Sequence, residues 1–145
     1  MRYRILGPLH VSDGAREAAI TAGRDRVVLA VLLLHAGRIV AVEELIEAVW
    51  DDGPPVTARG QLQTCVSRLR RTLPAGAILT DPAGYGIRVG ADDLDSLAFA
   101  RLVAQARTGE GTAGKLLREA LVLWRGPALA GIDSRAVRHQ AAVLD

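Results

Sequence analysis

The stretch Thr57–Leu73, TARGQLQTCVSRLRRTL, holds four arginines and no acidic residue, in a chain whose formal net charge is only +2. At about 100° per residue, with Leu62 as origin, Val66, Leu69 and Leu73 fall within roughly 40° of it. So narrow an apolar stripe has to face a core. Thr64 and Arg71 lie opposite, with Gly60, Ser67 and Arg68 within roughly 60° of that line, while Arg59, Gln63 and Arg70 fill one flank. A helix that is dry on one side and carries small polar residues among arginines on the other suits a DNA major groove. Gly60, Thr64 and Ser67 let the backbone approach, an arginine fork pairs with a guanine edge, and flanking arginine and glutamine hold phosphates. The competing reading is an ordinary solvated amphipathic helix, and charge placement by itself does not separate the two.

The segment that follows weighs toward DNA. AILTDPAGYGIRV (77–89) reads as a hairpin, with strands at Ile78–Thr80 and Tyr85–Val89 around a turn at Asp81–Gly84. A basic helix followed by a tight hairpin is a helix-turn-helix with a wing, from which Arg88 extends to a phosphate.

Upstream, Tyr3 and Ile5 alternate with Arg2 and Arg4, and Leu9 and Val11 flank His10. A turn at Ser12-Asp13-Gly14 and a third short strand at Ala18–Ile20 complete a small antiparallel sheet. A first helix is expected from Arg24 or Asp25, capped by Thr21 or Asp25, to a stop at Gly37. Its middle is apolar nearly all round, so it must be buried between other elements. A second helix covers AVEELIEAVW (41–50), with Val42, Leu45, Ile46, Val49 and Trp50 on one face. Glu43 and Glu44 stand where a helix N-terminus favours negative charge. DDGPP (51–55) ends it, because two prolines and a glycine cannot continue a helix. Further on, GADDLD (90–95) reads as a hinge-like boundary. Helical runs follow at Leu97–Thr108, Ala113–Trp124 and Arg135–Leu144, the first two separated by GEGTAG (109–114).

Composition narrows the function classes. Half of the 145 residues are apolar but only 3% are aromatic, so the core is built from Leu, Val, Ile and Ala. Cys65 is the single cysteine, which excludes an intramolecular disulfide and a cysteine-based metal site; it reads as a buried thiol. His10, His35 and His139 show no ligand spacing, and His35 suits the end of a helix dipole. Asp92, Asp93 and Asp95 lack a calcium-loop pattern and read as helix-capping acids. GEGTAG lacks the Lys-Ser/Thr of a phosphate cradle. MRYRILGPLHV carries no secretory signal, and the longest apolar run, Val27–Leu34, falls well short of the ~20 residues that span a bilayer. The chain reads as a cytoplasmic protein without enzyme activity, cofactor or metal.

RILGPLHV, VVLAVLLLHAGRIV, VEELIEAVW, PP…AR…LQ…VSRLRRTL and ILTDPAGYGIRV, in this order, resemble the Streptomyces antibiotic regulatory protein family over residues 1–90. LDSLAFARLV and LLREALVLWRGPAL resemble the start of the bacterial transcriptional activation domain that follows in that family. The resemblance implies an α+β fold: an OmpR-type winged helix-turn-helix at 1–90, then a truncated, all-α module like tetratricopeptide repeats at 91–145. It implies an activator of secondary-metabolite gene clusters that binds direct repeats near promoters as side-by-side protomers and recruits RNA polymerase. Thr64, Arg68 and Arg71 would face bases, with Ser67 beside them. Arg59 and Arg70 would serve phosphates together with Gln63, the hairpin around Gly84-Tyr85 would be the wing, and the Asp51–Pro55 loop would face polymerase. Departures from the family pattern are Ala41 where a capping Ser or Thr is frequent, Cys65 where a larger side chain is common, and a chain that stops at Asp145, short of a complete activation domain. A protein-interaction module and a repressor with the same DNA contacts are the alternatives.

Overall fold

The computed structural model describes residues 1–109 and 112–145. The GEGTAG loop includes Glu110 and Gly111, which lie outside the described residues. Strands β1 (Arg2–Arg4), β2 (His10–Asp13) and β3 (Arg16–Glu17) form an antiparallel sheet in the order β1-β2-β3. The third strand lies at 16–17 rather than 18–20, because Gly14, at φ +63, turns the chain immediately after β2.

Helix α1 (Gly23–Leu34) runs through the middle of the core. Every residue from Val27 to Leu33 is at most 5% exposed, as a helix apolar on all sides requires. Its N-cap is Ala22, and neither Thr21 nor Asp25 supplies a cap: no side chain bonds there. Asp25 is instead buried and paired across the core boundary. Gly37, at φ +82, turns the chain after the helix, a conformation that glycine takes without steric cost.

Two residues further on, a short strand forms that the sequence pattern does not announce. β4 (Val40–Ala41) pairs antiparallel with β6 (Gly84–Ile87), which pairs with β5 (Ile78–Asp81), so the wing belongs to a three-stranded sheet in the order β4-β6-β5. Ala41 is also the N-cap of α2 (Val42–Val49), where it makes no side-chain cap bond. Trp50, expected on the apolar face of this helix, is only half-buried at its end, with the Arg24 guanidinium 5.3 Å from its ring centroid.

Helix α3 (Ala58–Thr72) leads into the wing. The hairpin turns through Pro82 and Ala83 alone, since Asp81 pairs with Gly84. Neither turn residue has positive φ, and the Asp81 carboxylate accepts from Ala83 N at 2.8 Å.

Helices α4 (Asp95–Arg107) and α5 (Ala113–Val122) pack on each other, with Phe99 and Trp124 edge to face at 5.7 Å. The segment expected to be hinge-like is fastened to β1: Tyr3 N donates to Asp93 O at 2.7 Å, and Leu94 bridges Tyr3. Asp95 is not a helix cap. It is buried, and its two oxygens accept from Ile5 N at 2.8 Å and Leu6 N at 3.0 Å. Helix α6 (Arg135–Ala142) then docks on α1 and α2, its N-cap Ser134 donating to Ala48 O at 2.6 Å. Among the described residues, no helix is long and apolar enough to cross a membrane.

Gly84 has an ordinary φ, and what it supplies is space. A Cβ there would come within 1.9 Å of Val40 O, so a side chain would push β4 off the sheet. Gly84→Ala should therefore lower unfolding free energy by ~2–3 kcal/mol in a urea titration. A variant as stable as the parent would show that β4 is not pinned there.

Candidate nucleic-acid interface

The apolar stripe of α3 is where the helical period puts it. Leu62, Val66, Leu69 and Leu73 are all at most 5% exposed, joined by Ala58 and Cys65. Cys65 is a full member of the core, as a buried thiol. The opposite side, comprising Arg59, Gly60, Gln63, Thr64, Ser67, Arg68, Arg70 and Arg71, is exposed. Thr64 Oγ1 donates back to Gly60 O at 3.1 Å, which satisfies the hydroxyl's proton and leaves its lone pairs outward.

The arginines are not equivalent. Arg68, expected to point to bases, is held from the side: its Nε and Nη2 each lie 2.8 Å from an oxygen of Asp25. The carboxylate hydrogen-bonds the guanidinium and raises its pKa further, against a smaller opposing effect of desolvation. Arg70, expected on phosphates, reaches the wing, with Nη2 donating to Ile78 O at 3.1 Å and Thr80 Oγ1 at 2.6 Å. It braces the hairpin against the helix. Arg59 pairs with Glu43, and both side chains are mostly exposed. Such a pair contributes at most ~1 kcal/mol and exchanges readily for another anion. Among the described residues, Arg71 has no carboxylate within 4 Å.

The wing residues also sort by position. Tyr85 is half-buried against the core, opposite Val40 on one side and Thr80 on the other, so it steadies the wing rather than forming its tip. Arg88 is exposed but follows the end of β6, with its backbone N on Ala77 O at 2.8 Å. That places it at the hairpin's root, while the tip is Pro82-Ala83.

The α2–α3 loop is engaged from the other side. Both oxygens of Asp51 accept from Arg135 N, at 3.0 and 3.2 Å, and the Arg135 side chain bonds Asp51 O and Asp52. A carboxylate at a helix N-terminus satisfies donors that lack an intrahelical partner. Val56 in the same loop is fully exposed. His35 caps α1 and exchanges a hydrogen bond with Gln140 Oε1 at 2.9 Å, so it helps seat α6. Among the described residues, no group of three His, Cys, Asp or Glu is placed to hold a metal ion.

Sequence reading missed Asp25 as a partner of this face. The available signal was a lone acid between two arginines at the start of an otherwise apolar helix, and a cap is the local explanation for it.

Comparison with known proteins bears on this surface. Residues 17–85 match the family model described as transcriptional regulatory protein, C terminal. The chain is 36% identical to regulatory protein AfsR of Streptomyces coelicolor, over 99% of this chain and 15% of that protein. It is 33% identical to regulatory protein DnrI of Streptomyces peucetius, over 92% of this chain and 55% of that one. A solved structure of Mycobacterium tuberculosis EmbR, in complex with a low-affinity phosphopeptide, superposes with a TM-score of 0.90 at 31% identity. It covers 99% of this chain and 41% of the EmbR chain. This chain thus spans between a seventh and about half of the length of these relatives.

The dry face of α3 makes its own prediction. Burial, reinforced by the hydrogen bond and charge of Asp25, pushes the Cys65 thiol up from 9.0 to about 11. Burial, with the Asp93 charge, pushes Tyr3 up from 10.0 to about 12. Both groups favour their neutral forms in the folded state, so their stabilisation is complete below pH 9 and is lost as pH rises through the folded values. Urea titrations from pH 8 to 11.5 should show stability falling from pH 9, and Cys65→Ala should delay the onset by about one pH unit. At pH 8, alkylation of the folded thiol should be at least about a hundredfold slower than in urea. Equal rates would place Cys65 at the surface.

Proposed function

We propose that this chain, which belongs to the Streptomyces antibiotic regulatory protein family of transcriptional regulators, reads duplex DNA through the exposed face of α3. The observation that carries the reading is the contrast between the two sides of that helix. Six residues are sunk in the core, while Thr64, Ser67 and Arg71 stand outward beside a glycine with nothing within 4 Å of where its Cβ would be.

In this reading Thr64, Ser67 and Arg71 face base edges and Arg68 is presented beside them. Arg59 and Gln63 hold phosphates from the flank, Arg59 exchanging Glu43 for DNA, and Arg88 reaches the backbone from the wing root. Arg70 and Tyr85 keep the wing in register with the helix. Residues 1–90 form the DNA-binding domain and residues 91–145 the beginning of an activation domain. Two or more protomers sit side by side on direct repeats, and the Asp51–Pro55 loop faces RNA polymerase. The regulated genes are those of a secondary-metabolite cluster, and the sign is activation.

The rival, a protein-interaction module, is favoured by one feature: Leu121 and Val122 of α5 are 65% and 78% exposed. The two readings part in a salt series. DNA reading predicts binding to the promoter region of the regulated cluster that survives moderate salt at spaced repeats, while scrambled duplex of equal length is lost early. Equal loss on both duplexes would leave the interaction module standing.

Residue roles make the test finer. Arg71→Ala should cost ~1–3 kcal/mol on the repeats and relax the preference at one base pair. Arg59→Ala should weaken all duplexes alike and reduce the salt slope by about one. Gly60→Ala should raise stability by ~0.5–1 kcal/mol, since a helical glycine is replaced in open space, yet weaken binding. Identical behaviour of the Arg71 and Arg59 variants would refute this division of labour.

A further inference from the structure

We infer that Asp25 is a specificity determinant of the DNA-reading face: it takes the inner edge of the Arg68 guanidinium, withholding that charge from phosphates and fixing the outer nitrogen toward the groove. The inference rests on the DNA-reading proposal above.

The geometry is that of a fork held from one side. Asp25 is 5% exposed and stands in the first turn of α1, where its backbone is set by the core helix. Its two oxygens occupy Nε and Nη2 of Arg68, both at 2.8 Å, and Nη2 also lies 3.7 Å from Cys65 Sγ. Nη1 has no hydrogen-bond partner among the described residues, and the Arg68 side chain is 44% exposed. A guanidinium is planar, so two bonds on one edge fix the direction of the nitrogen on the other. An arginine on a four-bond stem would otherwise sweep a wide arc and settle on the nearest phosphate. Bound to a carboxylate that cannot itself move, Arg68 can offer a donor at only one place along the helix, one turn from Thr64 and beside Arg71.

The charge argument runs the same way. Attraction to phosphate is blind to sequence, and each arginine that gives it adds to non-specific binding. A buried carboxylate paired with Arg68 cancels that attraction locally while leaving an N–H for a base acceptor. Asp25 is a positioning residue, acting through Arg68, and contributes discrimination rather than affinity.

The test uses the full chain and two probes: the duplex that the parent recovers from a randomised DNA pool, and a scrambled duplex of the same composition. Affinity for each is measured across a salt series for the parent, Asp25→Asn, Arg68→Ala and the double variant. Asp25→Asn keeps the shape and removes the charge. It should bind scrambled duplex more tightly, with a salt slope steeper by about one, and lose about tenfold in the ratio of selected to scrambled affinity. In the Arg68→Ala background the same change should alter that ratio by less than about twofold. Should Asp25→Asn fail to fold, Arg68→Lys carries the test, because it keeps the charge but cannot make the planar fork. It should lose discrimination while retaining affinity for scrambled duplex. Undiminished discrimination in Asp25→Asn, or in Arg68→Lys, overturns this inference alone, as does an equal loss with and without Arg68. A parent chain that enriches no sequence overturns the DNA-reading proposal, and this inference with it.

Discussion

Seven consecutive residues of α1, Val27 to Leu33, must be kept from water on every side, and most of the architecture serves to enclose them. A helix with an apolar stripe can rest on a surface, whereas one with no polar face has to be surrounded. Residues of the N-terminal strands share its core, and α2, α3, α6 and β6 pack directly on it. Polar groups on α1 are confined to its first turn, where two of three neighbours reach α3 and the third reaches backbone carbonyls that precede the helix. Arg24 donates to Gln61 at 2.7 Å, Asp25 takes Arg68, and Arg26 reaches the carbonyls of Ile20 and Leu9. Helix α3 is thus set by dispersion along its stripe and by two polar pairs at the end where α1 emerges.

What could be read in the sequence was what repeats over a few residues. The stripe Leu62, Val66, Leu69 and Leu73 follows from the helical period, and all four are buried as that period requires. The wing was legible from Asp81-Pro82 and the two glycines of GYGI. The strand Val40–Ala41 was not, because two residues carry no alternation; its existence depends on the space left by Gly84, more than forty positions away. Asp25 and Asp95 resist a local reading for a related reason. An acid near a helix start has a common local explanation as a cap, and its true partners, Arg68 in one case and the amides of Ile5 and Leu6 in the other, lie far along the chain.

The arginines illustrate the same limit at the candidate interface. Their count and placement identify the face, but side-chain commitments decide the role of each. Arg70 has become a brace and Arg68 is oriented, Arg59 is lightly held, and Arg71 stands open. The exposed face of α3 therefore offers fewer free charges than its sequence advertises. A helix with a smaller free charge depends more on the fit of its small residues than on attraction to phosphate.

The fastening of β1 reaches beyond the finished structure. Ile5 and Leu6 hand their amide protons to Asp95, and their carbonyls accept from Leu129 N and Arg125 N. β1 and the two residues after it are therefore completed only by partners far along the chain. Tyr3 has to wait for Asp93 to emerge, and the carbonyls of Ile5 and Leu6 for Leu129 and Arg125, a delay on the order of ten seconds at ordinary rates of synthesis. During that interval the exposed edge of β1 is a place where a nascent chain can pair wrongly, and the arginines at positions 2 and 4 place positive charge along it for as long as the wait lasts.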